Sequence, residues 1–257
     1  MTRCSPRQPG TVARAIAAGT AALVLGLLLP VSGIAEPAKP AASCEPDDAS
    51  PPSVRACTAL IAAGHLDNAS LSRIYVQRAK AWIDDEEPAA AISDFTRAIA
   101  ADPANTIAIQ GRAKAYAAAN RFDLAAADWS HLIELMPSGD GSYAGRAATQ
   151  LAAGKAGDAV ADYSSAIRLN PHSHDAILGR ASAYEKLEQR DKALADFALI
   201  LDRDPADVPA QFAKGQAAER WGDRKAAIES YKIVLKYQPY HQTARKALFR
   251  LSISSLN

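Results

Sequence analysis

Residues 174–207 read HDAILGRASAYEKLEQRDKALADFALILDRDPAD, and this stretch contains the pattern that organises most of the chain. Its proline, Pro205, belongs to a series spaced by 34 residues without a slip, namely Pro103, Pro137, Pro171, Pro205 and Pro239. Three further registers keep the same spacing: Ala79, Ala113, Ala147, Ala181 and Gly215; Ala91, Ala125, Ala159, Ala193 and Ala227; Phe95, Trp129, Tyr163, Phe197 and Tyr231. Self-similarity at a fixed period of this size predicts a repeat architecture.

The spacing within one unit favours two antiparallel helices. Small residues in two registers allow the helices to approach closely, aromatic residues fill the space around them, and the proline ends the second helix. Each such hairpin leaves a face uncovered, so the units stack into a solenoid. The sequence therefore predicts an all-α solenoid of five helix-turn-helix units, which are 72–105, 106–139, 140–173, 174–207 and 208–241.

The unit resembles the tetratricopeptide repeat (TPR) family, whose pattern has characteristic residues at positions 4, 8, 11, 20, 24 and 32. Unit 174–207 supplies all six, as Ile177, Ala181, Tyr184, Ala193, Phe197 and Pro205. The third unit departs at position 11 with Gln150, and the fifth departs at positions 4 and 11 with Gln211 and Ala218. The resemblance implies a TPR-type solenoid whose ligands lie on a concave face made by the first helices.

Helical segments flank the array. Residues 53–71 predict an N-terminal cap helix and loop, and residues 242–257 predict a C-terminal capping helix and tail. Residues 36–52 are rich in Pro, Ala, Ser and Asp, which is typical of a flexible linker. The head of the chain also resembles that of exported bacterial TPR proteins.

Residues 1–35 have the organisation of a signal peptide. Arg3, Arg7 and Arg14 precede the apolar stretch Leu23–Leu29, and Gly33-Ile34-Ala35 supplies small residues for cleavage. Cleavage near Ala35 predicts an exported protein, either periplasmic or secreted, with no stable membrane insertion afterwards. The alternative is an uncleaved anchor.

Two cysteines would remain in the mature protein, Cys44 and Cys57. An even number in an oxidising compartment predicts a disulfide. The alternative is a pair of unpaired thiols.

Arginine at position 7 and aspartate at position 23 occur together in four units. They are Arg78 and Asp94, Arg112 and Asp128, Arg146 and Asp162, and Arg180 and Asp196. We expect structural ion pairs between the two helices, within a repeat or across to a neighbour. The alternative is a ladder of arginines for a polyanion.

Positions 2, 5, 9 and 12 are expected to line the concave face. The residues that we assign to a peptide groove are Arg73, Lys80, Gln110, Lys114, Ser182, Phe212 and Gln216. The face would run from basic through small and apolar to acidic, and the alternative is a solvated helix surface. Gly111, Gly145 and Gly179 at position 6 would admit either a ligand backbone or a closely packed helix.

The composition and the lack of known catalytic motifs argue against enzymatic activity. The formal charge is +1 with 22% charged residues, which argues against a nucleic-acid partner. No nucleophile, metal or dinucleotide motif occurs, and His172 and His174 are the only close histidines. We therefore predict no enzyme activity, no cofactor, no metal and no small-molecule substrate.

The predicted function is a non-catalytic exported scaffold that binds a protein or peptide segment in its concave groove. The alternative is a structural subunit of a cell-envelope complex that uses its convex face or its ends.

Overall fold

A computed structural model describes residue 44 and residues 53–253. The predicted signal peptide, the linker apart from Cys44, and the last four residues lie outside the described residues. The described part contains twelve α-helices and no strand: α1 Val54–Ala63, α2 Asn68–Asp84, α3 Pro88–Ala101, α4 Thr106–Ala118, α5 Phe122–Leu135, α6 Asp140–Ala152, α7 Ala156–Leu169, α8 His174–Lys186, α9 Arg190–Leu201, α10 Val208–Arg220, α11 Arg224–Tyr237 and α12 Gln242–Ile253. Among these helices, none combines the length and apolarity that a membrane crossing requires.

The helices form five antiparallel hairpins that pack in chain order. Each second helix packs against the first helix of its own hairpin and of the next, α1 packs against α2, and α12 packs against α11. The alanines in the two small-residue registers are fully buried, and the aromatic residue at position 24 is buried in every hairpin. The predicted all-α solenoid of five helix-turn-helix repeats with flanking helices is confirmed.

The first helices begin at side chains that cap them. Asn105, Ser173 and Asp207 each accept a hydrogen bond from the backbone N–H three residues later, at 3.0, 3.4 and 2.7 Å. Such caps satisfy N–H groups that have no partner inside the helix. His241 completes the series through Nδ1, which accepts from Ala244 N at 3.2 Å. Side-chain caps at the last position of a unit thus mark the start of α4, α8, α10 and α12, whereas α6 begins after Gly139 without a side-chain cap and α2 is capped by Asp67.

A left-handed residue connects the two helices of every hairpin. The five residues and their φ angles are Glu86 62°, Asn120 56°, Gly154 78°, Glu188 58° and Gly222 73°. Asn and Gly tolerate this region. Glu86 and Glu188 show that the hairpin geometry imposes the same conformation on residues that disfavour it.

The arginines and aspartates of positions 7 and 23 form bidentate pairs inside each of the first four hairpins. In the third hairpin, Arg146 Nε donates to Asp162 Oδ2 at 2.7 Å and Nη2 donates to Oδ1 at 2.8 Å. The corresponding pairs in the other hairpins are Arg78–Asp94 at 2.6 and 2.7 Å, Arg112–Asp128 at 2.8 and 2.7 Å, and Arg180–Asp196 at 3.0 and 2.7 Å. Hydrogen bonding to the aspartate raises the pKa of all four arginines.

The same arginines also reach the preceding structural unit. Arg146 Nη1 donates to Ser130 Oγ at 3.0 Å, and Ser130 lies at position 25 of the hairpin before. The other three contacts are Arg78 to Thr58 at 3.0 Å, Arg112 to Thr96 at 3.3 Å and Arg180 to Ser164 at 3.1 Å. Each arginine therefore joins its own two helices and a neighbour, which accounts for its use in place of lysine.

The N-terminal end is covered by α1 and by the residue at position 44. Cys44 and Cys57 are joined by a disulfide, and both are fully buried. Cys44 N donates to Gln77 Oε1 on α2 at 3.0 Å. Ile74 lies in the same apolar cluster as the two cysteines. The disulfide thus joins Cys44, which contacts α2, to α1.

Candidate functional site

The exposed side chains of the first helices differ along the solenoid. Positions 2 and 9 are exposed in the first four repeats, and position 5 is exposed only at Gln110. Among the residues assigned to the groove, Arg73, Lys80, Gln110, Lys114 and Ser182 are exposed, whereas Phe212 and Gln216 are half-buried.

A cleft of about 650 Å³ lies between α2 and α4, in the first two repeats. It brings together three of the assigned residues, Lys80, Gln110 and Lys114. Ile83 and Ile107 line the same cleft, with 45% and 57% of their surface exposed. Arg73 does not line it and instead donates to Ser70 Oγ at 2.9 Å.

Lys80 and Lys114 form no ion pair among residues 44 and 53–253, and the single acid that lines the same cleft is Asp84. Most arginines of the first helices are bound by aspartates, so their charge is already compensated. An unpaired cation beside exposed apolar side chains differs from an ordinary solvated helix face, where apolar residues are scattered singly. The cleft can therefore attract a negative group and shelter an apolar one.

The floor of the cleft explains the glycines at position 6. A Cβ atom on Gly111 would lie 2.4 Å from two ring carbons of Phe95, the position-24 aromatic of the preceding repeat. Gly145 stands in the same relation to Trp129 at 2.5 Å, and Gly179 to Tyr163 at 2.3 Å. These glycines therefore serve close helix packing, because an aromatic ring occupies the space that a ligand backbone would need.

The remaining assigned residues lie in the last two repeats. Ser182 and Gln216 line a cleft of about 860 Å³ together with Trp221. Phe212 and Gln216 line a smaller one of about 460 Å³. Phe212 packs on the ring of His241, with 4.6 Å between the ring centroids, so it belongs partly to the core. The structure thus separates the assigned residues into two groups at opposite ends of the array.

Two of the acids expected at the far end of the groove are neutralised. Glu185 is paired with Arg220, and Glu219 is paired with Arg250. Arg220 lies on α10 and Arg250 on α12, so each carboxylate is neutralised by a residue from the next structural unit. The sequence did not indicate these arginines, because Arg220 lies outside the groove positions of its helix and Arg250 lies on α12, after the five repeats.

The histidines do not assemble into a metal site in the part of the chain that is described. No group of three His, Cys, Asp or Glu side chains there could hold a metal ion. His174 Nδ1 lies 3.2 Å from Asp207 Oδ2, and His172 lies beside Arg203. The two neighbouring histidines thus face different partners.

Comparison with known proteins identifies the repeat. Residues 174–207 and 208–241 each match the family model of the tetratricopeptide repeat. These two segments make up 68 of the 257 residues, and their match supports the resemblance of the repeats to the tetratricopeptide repeat. No curated protein matches the chain significantly.

Solved TPR structures share the fold at low sequence identity. PilW, a widely conserved type IV pilus biogenesis factor, aligns with a TM-score of 0.60 and 17% identity, over 71% of this chain and 91% of PilW. TTC0263, a thermophilic TPR protein of Thermus thermophilus, aligns with a TM-score of 0.58 and 19% identity, over 71% of this chain and 99% of that protein. YrrB, a TPR protein with an unusual peptide-binding site, gives 0.54 and 18% identity, over 76% of this chain and 98% of YrrB. The chain thus resembles bacterial TPR proteins, and at these identities the likeness concerns the fold.

Proposed function

We propose that the protein is a non-catalytic, exported scaffold that binds a segment of another protein in the concave groove of its first two repeats. The observation that supports this proposal is the cleft between α2 and α4, where Lys80 and Lys114 flank the exposed Ile83 and Ile107. The likeness to YrrB, which has a peptide-binding site, supports a binding role for the fold. The match to a scaffold repeat supports the absence of catalysis.

The cleft favours a particular kind of segment. Lys80 and Lys114 outnumber the one acid of the cleft, Asp84, and recognise carboxylates, while the apolar walls recognise an aliphatic or aromatic side chain next to them. Gln110 adds an amide that can bind the backbone of an extended segment. The preferred ligand is therefore an extended peptide with an acidic residue beside an apolar one.

Export is part of the proposal. Residues 1–35 have the three parts of a signal peptide, and Cys44 and Cys57 form a disulfide, which persists in oxidising compartments. Mass spectrometry of the protein from its native cells is expected to find a chain that begins at Glu36 and lacks two hydrogens. An intact N-terminus with free thiols would contradict export.

The groove is tested by crosslinking and co-purification from the cell envelope. The Lys80→Glu, Lys114→Glu double variant is expected to lose the partner that the unaltered protein captures. Both lysines are exposed and unpaired in the described chain, so the fold should be unaffected, which circular dichroism checks. The matched control is Arg55→Glu with Arg168→Glu, two exposed cations that line neither this cleft nor the one that contains Ser182 and Gln216.

Comparing the Lys80 and Lys114 variant with the control variant shows whether the partner binds in the groove. Loss of the partner only in the Lys80 and Lys114 variant supports the groove. Retention of the partner in that variant, or equal loss in the control, rejects the groove as the binding surface. A further variant, Ile107→Ser, separates the apolar contribution from the charge and is expected to weaken binding about tenfold.

A further inference from the structure

The positive charge of the protein is concentrated at its C-terminal end. Residues 53–223 contain 18 Lys and Arg against 23 Asp and Glu. Residues 224–253, which form α11 and α12, contain seven bases and a single acid, Glu229. The net charge changes from −5 to +6 between these two parts of the described chain. The near-zero charge of the whole sequence conceals this separation.

Most of the basic residues at this end are not compensated. Arg250 pairs with Glu219, and Arg224 donates to the backbone carbonyl of Leu251. The cations with no ion pair in the described part of the chain are Lys225, Lys232, Lys236, Arg245 and Lys246. All five side chains are exposed. Because their positive charges form no ion pairs in the described chain, the electrostatic potential at this end favours an acidic partner.

Helix α12 lies at the place of the first helix of a sixth repeat. Ala244 occupies position 3 and is fully buried against α11. Helix α12 therefore packs on the preceding helix as the first helices of the array do. Position 8 is Phe249, whereas every repeat of the array has Ala or Gly there. In the array this position packs against the second helix of the same repeat, as Ala79 packs with Ala91. No helix follows α12 among the described residues, and 69% of the Phe249 surface is exposed.

A helix that only protects the end of a solenoid presents a polar outer face. The outer face of α12 instead presents Phe249 between cations, with Arg245 one turn before it. Tyr240, two residues before the helix, is 84% exposed. The face that α12 leaves open is the one that a helix covers in all five repeats. The geometry therefore indicates which kind of element fits there.

We propose that the outer face of α12, formed by Arg245, Lys246 and Phe249, docks an acidic amphipathic helix of a partner protein. The docked helix takes the place that the second helix has beside the first helix in each of the five repeats. A small residue of that helix faces Phe249, because two helices approach closely in the other repeats only where Ala or Gly occupies position 8. Its acidic residues pair with Arg245 and Lys246. Contact between the C-terminal ends of two copies is disfavoured, since two ends with a charge of +6 repel each other. This surface is separate from the groove between α2 and α4.

The proposal is tested by a photocrosslinking residue, p-benzoylphenylalanine, at position 249 of the full-length protein in the cells that make it. The replacement keeps an aromatic side chain at a site that is already exposed, so the fold is retained. The expected product joins position 249 to a segment that is helix-forming and net acidic, identified by mass spectrometry. A product with lipid, with a second copy of the chain, or with a basic or extended segment overturns the proposal, and so does the absence of a product.

The matched variants separate this surface from the groove. Arg245→Glu with Lys246→Glu is expected to reduce the yield at position 249 at least tenfold, and the control Arg55→Glu with Arg168→Glu is expected to leave it unchanged. Lys80→Glu with Lys114→Glu is also expected to leave it unchanged, because the groove lies in other repeats. Equal yields for all three variants overturn the proposed charge recognition.

A purified pair supplies the second readout. A synthetic peptide with the crosslinked sequence is expected to gain helix in circular dichroism when it binds the full-length protein. Replacing its acids by amides, or Phe249→Ala in the protein, is expected to weaken binding at least tenfold. Binding without a gain of helix overturns the proposal.

Discussion

Replacing Gly145 by alanine tests whether position 6 serves packing between repeats. A Cβ atom at this position would lie 2.5–2.6 Å from three ring carbons of Trp129. Ordinary carbon contacts are about 3.5–4 Å, so the indole must move by about 1 Å. Trp129 is 3% exposed and has no space to move into without disturbing its neighbours. Overpacking of this kind costs about 1–3 kcal/mol, and a large rigid ring places Gly145→Ala at the upper end.

The helical preference of alanine acts in the opposite direction. Gly145 lies inside α6, where alanine is favoured over glycine by about 1 kcal/mol. The expected net effect is a loss of about 2 kcal/mol in the free energy of unfolding. Gly157 on α7 is the matched control, because no atom lies within 4 Å of its added Cβ. Gly157→Ala is expected to stabilise the protein by about 0.5 kcal/mol.

Urea unfolding followed by circular dichroism measures both changes. The two substitutions are expected to move the midpoint in opposite directions, so the sign is decisive. In a Trp129→Leu background the clash is absent, and Gly145→Ala is then expected to become neutral or stabilising. A Gly145→Ala protein as stable as the unaltered chain would refute the packing role and restore position 6 as open space for a ligand backbone.

Three further measurements test the interactions of the array. Asp162→Ala leaves Arg146 without its bidentate partner and is expected to cost about 3 kcal/mol of unfolding free energy, whereas Asp158→Ala on the same helix costs less than about 1 kcal/mol; equal losses in urea unfolding would contradict the pair. Glu188→Gly relieves a left-handed backbone and is expected to raise stability by up to about 1 kcal/mol in the same assay, and a loss would show that the turn is not strained. Burial and a hydrogen bond to Glu219 raise the pKa of Tyr231 above that of the unfolded residue. The stability that neutral Tyr231 gives to the folded protein is therefore fully present below pH about 10, where the unfolded residue ionises, and is lost as the pH rises through the folded pKa. The urea midpoint is expected to fall between pH 8 and 11 and to fall less in Tyr231→Phe; an identical fall would assign the alkaline sensitivity to other groups.

Several features of the fold could be predicted because they depend on residues close together in one unit. The hairpin requires small residues at positions 8 and 20, an aromatic at position 24 and a proline at position 32. Because this pattern is repeated five times, it favours a solenoid of stacked helical hairpins over other folds. The left-handed turns at Glu86 and Glu188 could not be predicted in the same way, because the packing of the two helices imposes a conformation that glutamate disfavours.

The candidate site was predicted only in part. Lys80, Gln110 and Lys114 were assigned to one face and lie in one cleft, because equivalent positions of adjacent first helices are neighbours in a solenoid. The second part of the assignment did not form a continuous groove. Phe212 packs partly into the core against His241, a contact across the boundary between the array and the C-terminal helix.

The sequence by itself determined the class of fold and the period of its repeats, because the spacing of small, aromatic and proline residues acts within about 34 residues. It did not determine where the first hairpin begins, since α2 starts at Asn68, inside the segment predicted as cap helix and loop. The tertiary structure decided which charges remain available. Glu185 and Glu219 are neutralised by arginines 35 and 31 residues away, whereas Lys80 and Lys114 remain without an ion pair in the described chain. Electrostatic pairing depends on distances of a few ångströms between side chains of different repeats, and the periodic pattern does not specify those distances.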